Sequence, residues 1–389
     1  MRAGSILFSV RYPASLDCEP VNNDASLLME TLLNRSGGDV YLRSNDGTSP
    51  SPALLALARR LRDPADPLRA SALDALAADG ALHPAHAALA LDRVTARYTP
   101  DALEALASLE LAGRRVRVLL AASVATAPLR ALALPLLRGA ASVTVKPSRH
   151  QPRFAPLLTD GLAPDGAFDH LVAYGSDETL ATLRASLPPG VTFEGRGHGF
   201  ALSIVRTTDH ALAAARVAED IAWYDQRGCL SPQAVIVTGS DPMAFAEHLH
   251  RALTEVAATL PPGPMDVGLG AAVMQWRGVH AATALRFWRG PDHAIALHDT
   301  ASIGSPGARN ITVAGLDDAG LHALVRRHGP HLTALGVDGP ADDLRAIEGF
   351  SGRVVAAGTL QDPALDGPED VRPALGLALR GGHGGRARD

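Results

Sequence analysis

The chain has 389 residues, a net charge of −5 and a pI near 6.3, with 47% hydrophobic and 20% charged residues. That length exceeds one ordinary core and predicts two or three domains, while the lack of a basic excess argues against a nucleic-acid partner. Two cysteines cannot form a disulfide framework in so long a chain, so a reducing cytoplasm is the expected location.

Residues 1–47 show no clear periodic pattern and read as an N-terminal extension; Arg43 to Pro50 has the composition of a loop. The apolar run between Arg2 and Arg11 is too brief for a secretory signal. From Pro52 the character changes. Leu54, Leu55, Ala58 and Leu61 share one helical face, and Ala- and Leu-rich helices follow to about Leu111. Their boundaries are marked by Asp63-Pro64, Asp66-Pro67, His83-Pro84 and Thr99-Pro100. A strand–helix alternation comes next. Strands are expected around Val116–Leu120, at Val143 and Val145, over His170–Tyr174, Val191–Glu194 and Phe200–Val205. Helices are expected over Leu129–Leu137, Phe154–Leu162 and Asp177–Leu187, with Pro128 and Pro135 marking an edge or a kink. The uncharged stretch Val118–Leu129 ends at Arg130, well short of the roughly 20 apolar residues of a membrane span.

This rhythm predicts an open, mainly parallel sheet covered by helices, so that 48–225 would hold the helical region and a dinucleotide-binding domain. An amphipathic helix through Ala214, Val217, Ala218 and Ile221 then leads to a second α/β unit over 226–357. Its expected strands are Ala234–Thr238, His293–Leu297, Ile311–Val313, Thr333–Val337 and Val354–Ala357; its helices are Pro242–Leu260 and Leu316–Arg327. Residues 358–389 read as a return segment followed by a disordered Gly-rich tail.

Chemistry concentrates at a few points. Tyr224-Asp-Gln-Arg-Gly-Cys-Leu-Ser-Pro-Gln233 places Cys229 beside a glycine and Arg227, in a polar break between apolar segments. A thiol there can approach a substrate, and a nearby cation favours its thiolate; the other reading is a buried free cysteine packed as a small hydrophobe. Lys146 and Ser148 stand at the end of a strand, where both can bond a ribose or its phosphate. Gly175 and Ser176 precede a helix whose first amides can receive a pyrophosphate, although Asp177 and Glu178 would repel it. Gly195-Arg-Gly-His-Gly199 is a glycine-dense loop in which His198 can move a proton near neutral pH. His248 and His250 point to different sides of one helix, and His280, His293 and His298 lack ligand spacing, so no metal is expected.

In this order the pieces resemble the acyl-CoA reductases of the bacterial luminescence type, a branch of the aldehyde dehydrogenase superfamily. The decapeptide at 224–233 is similar to that branch's nucleophile segment, Val172-Ala-Tyr-Gly-Ser-Asp-Glu178 to its cofactor turn, Gly197-His198 to the Gly-His after the next strand, and Lys146-Pro147-Ser148 to the superfamily's Lys-Pro-Ser. The resemblance spans about residues 50–380. It implies an aldehyde-dehydrogenase-like α/β fold, with a shortened Rossmann-type cofactor domain and a second α/β catalytic domain. It further implies reduction of a fatty acyl-CoA or acyl-carrier thioester to the aldehyde through an acyl-Cys229 intermediate. NADPH (or NADH) would be held by Lys146, Ser148, Gly175 and Ser176. Ser123 and the Cys229 amide would hold the oxyanion, and His198 would act as proton donor. A homo-oligomer, with acyl-transferase or synthetase partners, is the expected assembly; the helical region at 52–111 could serve oligomer formation. Three departures stand out. Ala122-Ser123-Val124-Ala125 replaces a Gly-Asn-Val-Pro run. The interval from Ser148 to Tyr174 lacks room for the branch's additional strand and helix. Gly199 and Phe200 follow His198 in place of a basic residue. These departures also motivate a second reading, a degenerate homologue that holds or transfers acyl groups, or acts as a scaffold, without cofactor turnover.

Overall fold

The computed structural model describes residues 40–43 (backbone only), 49–80, 82–121, 124–148, 150–158 and 167–376. Most of the expected extension, residue 81, Ala122, Ser123, Arg149, 159–166 and the Gly-rich tail lie outside the described residues. Four helices come first after residue 49: α1 (Ser51–Arg62), α2 (Pro67–Ala78), α3 (Pro84–Ala96) and α4 (Pro100–Leu106). Each carries a proline in its first turn, where the missing N–H costs nothing. Asp66, His83 and Thr99 cap the last three by accepting first-turn amides. Leu54, Ala58 and Leu61 of α1 are buried in one core with Leu76, Leu91 and Leu103, while Leu55 packs at its margin.

The first sheet contains β1 (Val40–Arg43), β2 (Arg115–Leu119), β3 (Ser142–Lys146), β4 (His170–Tyr174) and β5 (Thr192–Arg196), in the order β1-β3-β2-β4-β5. All pairings are parallel except β1 against β3. The upstream segment therefore does contain an element, one too short for its pattern to register in the sequence. It lies on the outer edge of β3, the edge next to which a strand inserted between β3 and β4 would continue this order. Between those strands the expected helix at Phe154–Leu162 is reduced to a 3₁₀ turn at Ala155–Leu158, with 159–162 not described. Helix α5 (Ala127–Leu137) links β2 to β3 and is buried from Pro128 to Leu137; Pro135 is accommodated near its end. Helix α6 (Asp177–Ala185) links β4 to β5.

The second sheet has β6 (Phe200–Val205), β7 (Pro232–Val237), β8 (Arg286–Arg289), β9 (Ala294–His298), β10 (Asn310–Gly315), β11 (Leu332–Asp338) and β12 (Arg353–Ala356), in the order β12-β11-β6-β7-β10-β9-β8. Only β8, an edge strand, is antiparallel. Helices α7 (His210–Ala222), α8 (Pro242–Val256), α9 (Val267–Thr283), α10 (Asp318–His328) and the short α11 (Asp342–Arg345) belong to this unit. The near-continuous apolar strands Phe200–Val205 and Leu332–Asp338 are buried throughout, as parallel strands covered on both faces must be. Helix α9 and strand β8 were not anticipated. Three glycines and exposed Val267, Met274 and Val279 blur the helical periodicity of α9. Among the described residues no helix is long and apolar enough to cross a membrane.

Histidines tie this second unit together in pairs. His250 of α8 meets His293 at 2.8 Å, and His280 of α9 meets His298 of β9 at 2.8 Å. Among the described residues, no cluster of three or more histidine, cysteine, aspartate or glutamate residues could hold a metal. In the helical region His86 is buried and its Nε2 accepts the Tyr224 N–H. Burial depresses His86, His280 and His293 to about 4, with the partner imidazole adding to the effect in the last two. A base held neutral by the fold stabilises it fully above its ordinary value of 6.5, and that stability is lost as pH falls toward 4. Thermal melts are expected to plateau above pH 6.5 and drop steeply below it, and replacing His293 by Gln should flatten the drop; an unchanged profile would remove this histidine from the account.

Candidate active site

Only Gly197, His198 and Gly199 separate β5 from β6. The carboxyl edge of the first sheet is thereby brought to the amino edge of the second. On the first edge stand Lys146, the last residue of β3, Ser148 just beyond it, and Gly175-Ser176 after β4. They flank the end of β2, the point where the strand order turns back on itself. On the second edge stand His198 before β6 and Cys229 before β7. The two edges are bonded: Asp177, at the start of α6, accepts the His198 N–H at 3.0 Å. A Cβ on Gly197 would collide with that carboxylate, which accounts for glycine there. Ser176 caps α6 by accepting the Thr179 N–H at 3.2 Å, leaving its sequence-expected position at the helix N-terminus intact.

The nucleophile segment is held from every side. Trp223 and Tyr224 sink into the helical core, and the Tyr224 hydroxyl bonds Thr126 at 3.1 Å. Tyr224, Asp225 and Gln226 all have left-handed backbone, with φ of 54°, 50° and 62°. Each such non-glycine residue costs roughly 1–2 kcal/mol. Gln226 then donates to the Pro232 carbonyl at 2.8 Å, and Gly228 to Ser231 Oγ at 3.2 Å. Thr333 of β11 donates to the Cys229 carbonyl at 2.6 Å and the Phe200 carbonyl at 2.9 Å, fastening the thiol's backbone beside the His198 loop. Val124 lies against Gly228, so the loop after β2 reaches the nucleophile; Ser123 itself is outside the described residues.

The cation expected to act on Cys229 is not the one adjacent in sequence. Arg227 donates to the Pro264 carbonyl at 2.8 Å, engaged with a neighbouring loop. The guanidinium that favours the thiolate is Arg372, from the return segment. It bonds Asp370 as well as the carbonyls of Gly197, His198 and Pro330. It also packs where a Gly199 side chain would lie, so a basic group does reach this loop, from the far end of the chain. Burial nevertheless dominates: together with the carboxylates of Asp370 and Glu369, it pushes the Cys229 thiol up to about 12 and so opposes the thiolate. Burial also lowers His198, helped by His331 and opposed by Asp177. Glu194 of β5 is paired with Arg138 and Arg196; burial opposes its charge, but His170 and these arginines hold it well below the usual carboxylate range.

The return segment was anticipated only as a path. It is a strap, and its groups are the ones a sequence reading missed. Arg130 of α5 donates to the carbonyls of Pro363, Ala364 and Gly367, and Arg353 of β12 to those of Pro368 and Glu369. Arg196 donates to those of Asp370 and Arg372, and Leu375 bridges Gly195 at the free edge of β5. The only signal in the sequence was the charged run Glu369-Asp370-Val371-Arg372, which has no catalytic pattern.

Three comparisons bear on the site. The family model described as Acyl-CoA reductase (LuxC) matches residues 162–361, just over half of the chain. A long-chain acyl-protein thioester reductase of Aliivibrio fischeri is 35% identical over 96 residues, which are 24% of this chain and 20% of that protein. The matched stretch thus spans about a fifth of that relative's length. Among solved structures, an NAD-dependent benzaldehyde dehydrogenase of Corynebacterium glutamicum superposes with a TM-score of 0.60 at 16% identity, covering 82% of this chain and 83% of that one. An oxidoreductase of Marinobacter aquaeolei does so with a TM-score of 0.60 at 12% identity, covering 81% and 79%. The fold is therefore aldehyde-dehydrogenase-like, with parallel sheets in both units.

Alkylation by iodoacetamide depends on the thiol's ionisation and on its access, and charge variants that leave its packing in place change the first. At pH 8 Glu369→Gln should speed modification of Cys229 several-fold by removing a nearby anion, and Arg372→Met should slow it. Equal rates in wild type and both variants would show that these charges do not act on the sulfur.

Proposed function

The chain belongs to the acyl-CoA reductase (LuxC) family, and from that membership we propose that it reduces a fatty acyl thioester to the aldehyde through an acyl-Cys229 intermediate. The observation that carries the reading is the placement of Cys229 and the His198 loop, joined through Thr333, at the meeting of the two sheet edges. The acyl donor in this proposal is a coenzyme A or carrier-protein thioester, in keeping with the acyl-protein thioester reductase that shares part of the sequence.

The residues on the first edge fit a dinucleotide. Gly175 opens the turn before α6, the Ser176 hydroxyl takes only one of the first-turn amides, and Asp177, the carboxylate that would repel a phosphate, is engaged with the His198 N–H. Lys146 and Ser148 would hold the ribose, and a lysine at that place favours NADPH over NADH. When bound, the reduced nicotinamide supplies a hydride to the acyl carbon. The chain's own groups do the rest. In this proposal Cys229 gives its proton to His198 and attacks the thioester carbonyl; the new carbon–sulfur bond forms as the bond to the donor sulfur breaks, and His198 passes the proton on to the departing thiolate. The Cys229 N–H and the Ser123 hydroxyl would hold the oxyanion. After reduction Cys229 leaves as thiolate and the aldehyde is released.

The homo-oligomer expected from the resemblance would use α9 in this reading. Met265, Val267, Met274, Val279 and Leu285 are exposed on and beside it, whereas Leu89 is the one large apolar side chain exposed on the described helices over 51–106.

Intact-protein mass after mixing with a long-chain acyl-CoA, then after adding NADPH, tests the mechanism. An adduct that NADPH discharges, absent in Cys229→Ala, is expected. An adduct indifferent to NADPH would replace the reductase by an acyl-holding protein, and none at all would leave a scaffold. Lys146→Ala is expected to raise the KM for NADPH about tenfold with little change for NADH, in line with the loss of one charge-assisted phosphate contact worth ~1.4 kcal/mol.

A further inference from the structure

We propose that Asp225 and Arg309 are positioning residues, which set the place of Cys229 by locking two left-handed turns against each other. The inference rests on Cys229 being the nucleophile. The first turn is Tyr224-Asp225-Gln226; the second is Gly307-Ala308-Arg309, with φ of 82°, 49° and 61°. Five of these six residues are not glycine, and only Asp tolerates such backbone readily. Neither turn persists on its own preferences, so something must hold both.

The bonds that hold them converge on one carboxylate. Arg309 donates to Asp225 Oδ1 from Nε at 3.1 Å and from Nη2 at 2.8 Å. Asp225 Oδ2 accepts the Gly263 N–H at 2.8 Å, and the Asp225 carbonyl accepts the Ala308 N–H at 2.9 Å. Arg309 also reaches the Leu260 carbonyl at 2.7 Å. The pair is enclosed, with side-chain exposures of 1% for Arg309 and 4% for Asp225. Asn310 fastens the second turn to the start of β10 by donating to the Gly307 and Ala308 carbonyls, and β10 lies beside β7, the strand that follows the nucleophile.

A buried ion pair is poor evidence for stability as such, because apolar residues of similar volume commonly do as well. Its geometry here has a narrower consequence. Three residues separate Asp225 from Cys229, and Gln226 and Gly228 are both bonded to residues just beyond the thiol. A turn that relaxed to right-handed backbone would swing the start of this closed loop and move the sulfur relative to Thr333 and His198. The thiol would stay on the chain yet be misplaced, and misplacement of about 1 Å can cost on the order of 100-fold in rate.

Asp225→Asn keeps the shape and the tolerance for left-handed backbone; Arg309→Lys keeps the charge and loses the fork. Both variants, and Arg309→Lys combined with Ala308→Gly, are to be measured for thermal midpoint, single-turnover acylation by a long-chain acyl-CoA, KM for that thioester, and alkylation of Cys229 by iodoacetamide. The expected result is acylation at least tenfold slower at unchanged KM, alkylation at least threefold faster as the half-buried thiol is freed, and partial recovery of both when the Ala308→Gly substitution eases the second turn. A lower thermal midpoint with wild-type acylation and alkylation per folded molecule would overturn the proposal and leave a structural pair. If the wild-type protein forms no acyl adduct, the thioester reading fails, and the alkylation rates still decide whether the pair governs the thiol: a threefold rise upholds it and equal rates overturn it.

Discussion

A link of three residues governs this molecule. With only Gly197, His198 and Gly199 between β5 and β6, the carboxyl end of one parallel sheet has nowhere to go but against the amino end of the other. Two glycines are needed because the link is crowded, by the Asp177 carboxylate on one side and the Arg372 guanidinium on the other. Everything chemical follows from that crowding. The turn after β4 and the thiol before β7 are far apart in the chain, and the link makes them neighbours. Loops at sheet edges are where parallel α/β proteins place their chemistry, and here two such edges share one space.

The sulfur is shielded and faced by carboxylates, His198 is pushed toward its neutral form, and Glu194 is consumed by ion pairs. Burial and the facing carboxylates disfavour the thiolate, the form that oxidation and alkylation require. The arginines serve as cross-members more than as ligands: Arg130, Arg196, Arg353 and Arg372 each donate to two or more carbonyls of other segments. A planar group with five donors suits that task as lysine does not, and the chain uses arginine for nearly all its basic charge.

Much of this was legible in the residues. Phe200–Val205 was placed to the residue, because a continuous apolar run between a glycine loop and a polar turn admits little else. His170–Tyr174 and the turn at Gly175-Ser176 were equally plain. The belonging of the chain to its family and its fold followed from the decapeptide and the cofactor turn. What stayed hidden has physical causes. Strand β1 is four residues long and owes its existence to the free edge of β3. Helix α9 carries apolar residues on its exposed side. Arg227 looked like the cation for Cys229 because proximity in sequence is visible and proximity in space is not; Arg372 lies far along the chain, in the return segment. The left-handed run at Tyr224–Gln226 has no glycine to announce it, since tertiary bonds impose it.

The strap also bears on when the molecule can be complete. Gly195 on the edge of the first sheet is paired with Leu375, and the buried Arg130 depends on carbonyls at 363–367. During synthesis the first sheet emerges with that edge bare and that guanidinium without those carbonyls, and both remain so until residues 363–375 have been made. Such late closure across long separations is slow, and an open strand edge invites pairing with other chains in the meantime. A ribosome that stalls before residue 360 would release a product with both sheets formed but without the strap's bonds to Arg130 and to the edge of β5, so closure of the first sheet waits on a segment some 180 residues downstream of that edge.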